Sequence, residues 1–428
     1  MSATISNVLL WSAVFWPLLL ALPIIHTRLP LPRYLSLIPA LLLVLLADDV
    51  SLMIPWLQFG MGFAIESDVR WVLLMSIAVW FVAATMINDE KPIHHAHHMT
   101  TLYLLTLSGC MGAILASDLV TLFSFSTLMG YAFYGLLVYG ADKRGQRAGR
   151  LYIISLVLAD LALFEALLLA ASASNADLQF DVVHQAMSEA PSAPIYLTMV
   201  IVAFMLKAGI WPFTLWLSAA FQARPQLSAL LGSVPVAMGL YGMLRWLPLG
   251  ERGFDALGVI LQIIGVLAVL YASFNLFARM SVKLFTIRAA MIATGLFLAL
   301  MGSGLAYPSI WHEYGYLAYP YIAVSGLFLS MLIVVNGALQ EKHGILGNES
   351  RQEGCIRVWV EAWLNTVQQL LRTGVSNFHL LWQAIELGMK KPRLQSVDWQ
   401  RWEKILDGWS IKITIFVMLG LLLTWLAS

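Results

Sequence analysis

Two opposite charges buried in apolar sequence are the residues best placed to do chemistry. Lys207 lies within the run MLKAGIWPF, and Asp160 lies within LYIISLVLADLALFEALLLAA. Both runs are apolar enough for membrane-spanning helices, where a charge costs several kcal/mol and therefore suggests a function. A neighbouring ammonium and carboxylate lower each other's cost and can exchange a proton. Two alternatives stay open: the pair only holds helices together, or Lys207 snorkels to the membrane surface.

Helix geometry predicts that Asp160 and Lys207 meet at one depth. Counted from a cytoplasmic helix start near residue 150, Asp160 lies about 15 Å inside, and Lys207 reaches a similar depth on the next helix. Glu165 follows five residues later, about 140° around the helix and about 7.5 Å nearer the outside. We therefore expect Glu165 to be a separate relay station or to face a partner subunit. Pro212, which lacks an N–H donor, predicts a helix break just after Lys207.

Two further basic residues open a later apolar segment. Lys283 is shallow, and we expect its ammonium to snorkel to the membrane surface. Arg288 lies about 9 Å inside and needs an acidic partner or a wet cavity. With Lys207, Asp160 and Glu165, they complete the predicted set of proton-transfer residues.

The sequence predicts no cofactor, metal or nucleotide site. Four histidines in the linker NDEKPIHHAHH could bind zinc, but a solvated cytoplasmic loop is the preferred interpretation (His94, His95, His97 and His98). The two cysteines, Cys110 and Cys355, suit neither a disulfide framework nor a cysteine metal site.

Composition predicts an all-α polytopic membrane protein. The chain is 60% hydrophobic and only 11% charged, whereas soluble domains carry about 25% charged residues. Long apolar runs without two-residue alternation exclude a β-barrel. The net charge of +1 gives no indication of nucleic-acid binding. Placing the loop DKRGQR in the cytoplasm puts most basic loops inside, which predicts an inner-membrane protein with both termini outside.

The apolar runs predict about twelve transmembrane helices, with a broken helix near Lys207-Pro212. The predicted spans are 7–25, 33–47, 69–88, 99–116, 119–139, 150–172, 195–217, 226–247, 257–277, 281–302, 315–338 and 411–427. A short β-hairpin is expected on the outer surface over 55–68. Helical spacing over 356–389 predicts an amphipathic lateral helix on the cytoplasmic face.

Several motifs resemble the antiporter-like membrane subunits shared by complex I, Mrp-type cation/proton antiporters and membrane-bound hydrogenases. They are PWLQFGMGF, LASDLVTLFSFSTLMGY, VAFMLKAGIWPFTLWL, PQLSALLGSVPVAMGLYG and SVKLF, between about residues 55 and 302. The resemblance implies inverted five-helix repeats with broken helices and, in some members, a lateral helix before a final span. It divides the chain into N-terminal helices with the hairpin (1–98), an antiporter-like five-helix unit (99–248), a partial second repeat (249–340), a cytoplasmic segment with the lateral helix (341–410) and a final span (411–428).

The resemblance carries over few charged residues. Lys207 matches the family's central lysine, and Lys283 matches the lysine that opens a later helix. The family's fifth-helix glutamate falls at Thr127 here. Asp160 or Glu165 is therefore expected to replace that glutamate as the partner of Lys207.

These observations predict a proton- or cation-translocating subunit of a multi-subunit energy-converting membrane complex. Two alternatives remain: the membrane subunit of a proton-driven inorganic-carbon uptake complex with a zinc carbonic-anhydrase-like partner, and a structural subunit that does not pump. The sequence does not decide whether the complex is a quinone- or hydrogen-linked oxidoreductase. If the complex is such an oxidoreductase, this chain is a non-catalytic subunit of it, since the sequence has no redox motif. The expected partners are other subunits and the lipid bilayer.

Overall fold

The computed structural model describes residues 3–343, except 27–28, 30, 56–59, 87–92, 140, 142, 222–226, 228–229, 252 and 275–281. The predicted lateral helix over 356–389 and the predicted last span over 411–427 lie outside the described residues.

Among the described residues, four helices precede a small sheet. They are α1 (Ala3–Leu20), α2 (Pro23–His26), α3 (Pro32–Leu35) and α4 (Ile38–Leu46). The predicted second span therefore consists of two shorter helices. The indole N–H of Trp16 donates to the carbonyl of Leu35 at 3.2 Å, which ties α3 to α1.

A β-hairpin follows, displaced from its predicted position. Its antiparallel strands are β1 (Val50–Ile54) and β2 (Met61–Ile65), and Val50 pairs with Ile65. The predicted segment 55–68 supplies only the turn and the second strand. β1 begins earlier because the side chains of Val50–Ile54 alternate between half-buried and exposed, which is the pattern of a strand. The acidic residues just before this segment had favoured a loop there.

Seven helices are described in the central part of the chain. They are α5 (Val69–Met86), α6 (Ile93–Ile114), α7 (Leu119–Val138), α8 (Lys143–Ala173), α9 (Phe180–Glu189), α10 (Ala193–Ala208) and α11 (Leu215–Ala220). Gly109 lets α7 lie very close to α6, since a Cβ added there would be 2.5 Å from the backbone nitrogen of Met129. The backbone of residues 93–98 is helical, so the prediction of a loop for the four histidines is wrong. A polar run in a sequence does not determine whether the backbone is a loop or a helix.

The remaining described chain is again helical. It contains a π-helix (Gly232–Ala237), α12 (Met238–Trp246), α13 (Asp255–Phe274), α14 (Val282–Ala306), α15 (Pro308–Tyr314) and α16 (Ala318–His343). Pro235 lies inside the π-helix, within the predicted eighth span. α13 and α14 touch through glycines, since a Cβ at Gly265 would lie 2.6 Å from the carbonyl oxygen of Gly295. Such small residues allow close approach of membrane helices.

Within the described part of the chain, five helical segments are long and apolar enough to cross a membrane. They are Leu119–Val138, Lys143–Ala173, Asp255–Ser273, Leu284–Ala306 and Pro308–Val335. Four shorter apolar helical segments lie at Thr4–Leu20, Pro32–Leu46 (which contains both α3 and α4), Val69–Thr85 and Ala193–Ala208. These findings agree with a multi-pass membrane protein, and the figure of twelve spans stays a prediction.

Candidate functional site

Lys207 and Asp160 form a buried ion pair. Lys207 Nζ lies 2.8 Å from Asp160 Oδ1, and the two side chains are only 7% and 10% exposed. The ammonium also donates a hydrogen bond to Ser126 Oγ at 3.0 Å. Helices α10, α8 and α7 therefore each contribute one polar side chain to a single point in an apolar core.

The end of α10 holds Lys207 in position. The helix stops at Ala208, and Gly209 adopts φ 65°, a left-handed conformation that glycine accepts without strain. Lys207 lies in the last turn, where the negative end of the helix dipole stabilises a cation. The helix thus breaks next to the lysine, as predicted, but Gly209 ends it, three residues before Pro212.

Trp216, in α11, packs against the end of α10 and stabilises the break between the two helices. Its indole N–H donates to the carbonyl of Leu206 at 3.0 Å, which satisfies a carbonyl near the end of α10. The indole covers Gly209, because a Cβ built on this glycine would lie 3.0 Å from the ring. Trp216 also packs edge-on against Tyr152 of α8, with 5.0 Å between ring centroids. The tryptophan therefore fixes α10 relative to the helix that carries Asp160.

Among the described residues, no further hydrogen bond supports the Asp160 carboxylate, and both of its oxygens are buried. A carboxylate held by one ion pair depends strongly on that partner's charge, because no other donor replaces it. Ser126 in turn donates its hydroxyl proton to the carbonyl of Phe123 at 3.1 Å. The hydroxyl of the neighbouring Thr127 is buried without a partner in the described structure. Helix α7 therefore carries two consecutive hydroxyl residues near the pair, of which Ser126 contacts Lys207.

The other three predicted proton-transfer residues lie apart from the pair. Glu165 points outward and is exposed. Arg288 is partly buried, and its Nη1 is buried without a partner among the described residues. Lys283 lies in the first turn of α14, and its side chain is outside the described part. No hydrogen bond or ion pair within the described residues joins Glu165 or Arg288 to Lys207 or Asp160.

A second polar cluster, near the hairpin, was not predicted. The Arg245 guanidinium lies 3.5 Å from Glu66 Oε2, 3.4 Å from the Tyr319 hydroxyl and 3.5 Å from the Ala116 carbonyl. It also lies 4.3 Å from the centroid of the Phe180 ring. This cation holds the hairpin, α9, α12 and α16 together. The sequence shows Arg245 only as a basic residue near the end of an apolar run, because its partners are far away in the chain.

Asp118 is also a structural polar residue that sequence reasoning missed. It caps α7 by accepting the backbone N–H of Thr121 at 2.7 Å, and it accepts the N–H of Gly62 in β2 at 2.7 Å. Burial raises the pKa of this carboxyl, although its hydrogen bonds act in the opposite direction. An aspartate before an apolar run is a recognisable helix-cap signal.

Comparison with known proteins agrees with this architecture. The family described as NADH:quinone oxidoreductase/Mrp antiporter, TM, matches residues 116–336, which is more than half of the chain. A probable K(+)/H(+) antiporter subunit of Rhizobium meliloti (strain 1021) is 26% identical over 274 residues, covering 61% of this chain and 47% of that protein. The chain spans less than half the length of the curated relatives that it matches.

Two solved structures share the fold. The Mrp complex from Dietzia sp. DQ12-45-1b matches with a TM-score of 0.65 and 19% identity, over 82% of this chain and 39% of that chain. Respiratory complex I from Thermus thermophilus with bound NADH matches with a TM-score of 0.65 and 17% identity, over 92% of both chains. The resemblance seen in the sequence motifs is confirmed, and the chain belongs to the family of NADH:quinone oxidoreductase and Mrp antiporter membrane subunits.

Proposed function

We propose that this chain translocates protons or cations as a subunit of a multi-subunit energy-converting complex, with its ion path centred on the Lys207–Asp160 pair. The observation that carries the proposal is the isolated ion pair at a helix break in an apolar core. Membrane proteins rarely hold ionisable residues inside, and those that do usually line ion or proton pathways. The relatives named as K(+)/H(+) and Na(+)/H(+) antiporter subunits point in the same direction.

The pair has a simple mechanism for moving a proton. The Coulomb attraction across the 2.8 Å contact is about 6 kcal/mol at an effective dielectric constant of 20, and it offsets the cost of taking both charges out of water. If charge elsewhere in the complex weakens that contact, Lys207 can release a proton. Ser126 can relay it by accepting that proton on the oxygen that contacts the ammonium while it passes its own hydroxyl proton, now donated to the Phe123 carbonyl, to a water molecule in the path. When the contact between Lys207 and Asp160 is restored, Lys207 takes up a new proton from the opposite side of the membrane.

The family resemblance also gives an argument for a subunit that does not pump. By that resemblance the family's glutamate falls at Thr127, so a carboxylate next to Lys207 has to come from another helix. Asp160 supplies it, which is why we prefer translocation. The inner-membrane location and the outside placement of both termini belong to this proposal.

The first test is Lys207→Ala. A translocating subunit should keep the complex assembled, as judged by co-purification, and lose proton movement in inverted membrane vesicles. A scaffold should keep both. Ala176→Ser is a suitable control, because Ala176 is exposed and lies in a turn away from the pair.

Purification in mild detergent followed by mass spectrometry tests the driving reaction. Iron–sulfur, flavin or hydrogenase subunits would place the chain in a redox-driven complex. A single large zinc-bearing subunit would instead favour inorganic-carbon uptake with a carbonic-anhydrase-like partner. Recovery of the chain alone would contradict membership of a complex.

A further inference from the structure

Helix α8 presents a continuous apolar face to the outside of the molecule. Four apolar side chains that are 49–60% exposed and the exposed Glu165 recur at alternating intervals of four and three residues, and the less exposed Val157 and Phe164 lie beside them (Ile154, Leu158, Leu161, Glu165 and Leu168). This spacing keeps them on one side of a helix. The buried side chains of α8 lie on the other side, against the rest of the chain (Tyr152, Leu156, Ala159, Leu163 and Ala166).

Glu165 occupies the remaining position on the exposed apolar face. It lies four residues after Leu161 and three before Leu168, so the carboxylate interrupts an otherwise apolar surface. Eight residues separate it from the end of α8 at Ala173, which is about 12 Å of helix. Lipid hydrocarbon therefore surrounds this position if nothing else covers it. No hydrogen bond or ion pair to Glu165 exists among the described residues.

Contact with lipid alone would be unfavourable for this face of α8. A carboxylate in the bilayer interior costs about 2.5 kcal/mol or more, and such residues almost always face protein or a wet cavity. A second copy of this chain is also a poor cover, because a two-fold contact would bring the same face of both copies together. Glu165 would then lie opposite its own counterpart, and like charges at short distance are unfavourable.

We propose that the face made by Ile154, Leu158, Leu161, Glu165 and Leu168 is the binding surface for a transmembrane helix of a different subunit. That helix presents an arginine or lysine at the depth of Glu165, with apolar side chains on either side of it. An opposite charge is the partner that most reduces the cost of a carboxylate in hydrocarbon. This inference concerns assembly and does not require Lys207 to move protons.

Photocrosslinking identifies the occupant directly. A benzophenone amino acid replaces Leu161, the complex is irradiated in native membranes, and the cross-linked peptides are sequenced. We expect a peptide from a transmembrane helix of another subunit that contains arginine or lysine within about one turn of the cross-link. Cross-links to lipid only, or to a second copy of this chain, would overturn the inference.

Charge variants test the role of the carboxylate. Glu165→Lys should reduce recovery of the cross-linked partner at least tenfold, while Glu165→Gln should reduce it less. Glu189→Gln is the matched control, because this exposed carboxylate lies at the end of α9. Thermal unfolding of the purified chain should be unchanged in all three, since neither side chain is buried. A wild-type yield of partner with Glu165→Lys would overturn the inference.

Charge reversal on the partner completes the test. When the cross-linked basic residue is changed to glutamate, Glu165→Lys should regain partner binding. Failure of the proposed ion path is distinguishable, because Lys207→Ala should leave partner recovery intact. Absence of rescue together with normal thermal unfolding would overturn the charge pairing.

Discussion

Replacing Asp160 by asparagine tests whether the ion pair is used in transport or only in folding. The substitution keeps the side-chain shape but removes the charge 2.8 Å from Lys207 Nζ. At an effective dielectric constant of 20 this contact amounts to about 6 kcal/mol, and breaking buried pairs typically costs about 3–5 kcal/mol. An ammonium left alone in an apolar core sheds its charge or draws in water.

We therefore expect Asp160→Asn to lower proton movement by about 100-fold, as for the loss of an essential proton-transfer group. The assay is dye quenching in inverted vesicles, energised with the substrate of the complex that co-purifies. A second variant separates transport from folding: Asp160→Leu combined with Lys207→Met replaces the whole pair by apolar side chains of similar size. Such replacements are often neutral or stabilising.

The double variant should fold and assemble like the wild type and still move no protons. Wild-type transport in Asp160→Asn, or retained transport in the double variant, would refute the proposed path. If the pair were purely structural, transport in the double variant would recover together with stability. The double variant thus gives opposite results for the two hypotheses.

Two further predictions concern stability. Burial lowers the pKa of His184, whose Nε2 lies 3.0 Å from the Arg245 carbonyl, from 6.5 to about 4. The unfolded chain therefore binds a proton first, so stability falls by up to about 3 kcal/mol between pH 6.5 and 4. Thermal unfolding of His184→Gln should lack this loss, and an unchanged pH profile would contradict the assignment. Gly109→Ala should cost about 1–3 kcal/mol, because its Cβ meets the backbone of Met129. Gly326→Ala should cost less in the same melting assay, because its Cβ meets the flexible Met75 thioether at 3.1 Å and Ala237 Cβ at an ordinary contact distance of 3.4 Å. Equal costs would contradict the packing argument.

Simple helix geometry was enough to predict the contact between Lys207 and Asp160. A helix rises by a constant amount per residue, so depth can be counted along each apolar run. Adjacent runs that cross in opposite directions then bring residues of equal depth together. The same reasoning separated Glu165 from the pair, since five residues turn a side chain to another face of the helix.

Other parts of the site were beyond sequence reasoning. The contact of Ser126 with Lys207 depends on how α7 rotates against α10, which side-chain packing decides and periodicity does not reveal. The helix end at Gly209 was assigned to Pro212, because proline is the stronger breaker in sequence whereas a left-handed glycine is visible only in the backbone. The Arg245 cluster joins residues 66, 116, 180 and 319, and no local pattern connects positions so distant in the chain.

The two carboxylates of α8 connect the proposed ion path with the proposed partner surface. Five residues apart, on different faces of one rigid helix, they lie roughly 12 Å from each other. Across that distance at a dielectric constant of 20, neutralising Glu165 changes the electrostatic energy of a charge on Asp160 by about 1 kcal/mol. The ammonium of Lys207 carries the opposite charge 2.8 Å from Asp160, so the same change acts on it by nearly the same amount in the opposite direction, and the intact pair is hardly affected. A basic residue arriving from a partner subunit would therefore act through the field on the step at which the pair carries only one charge, without touching it.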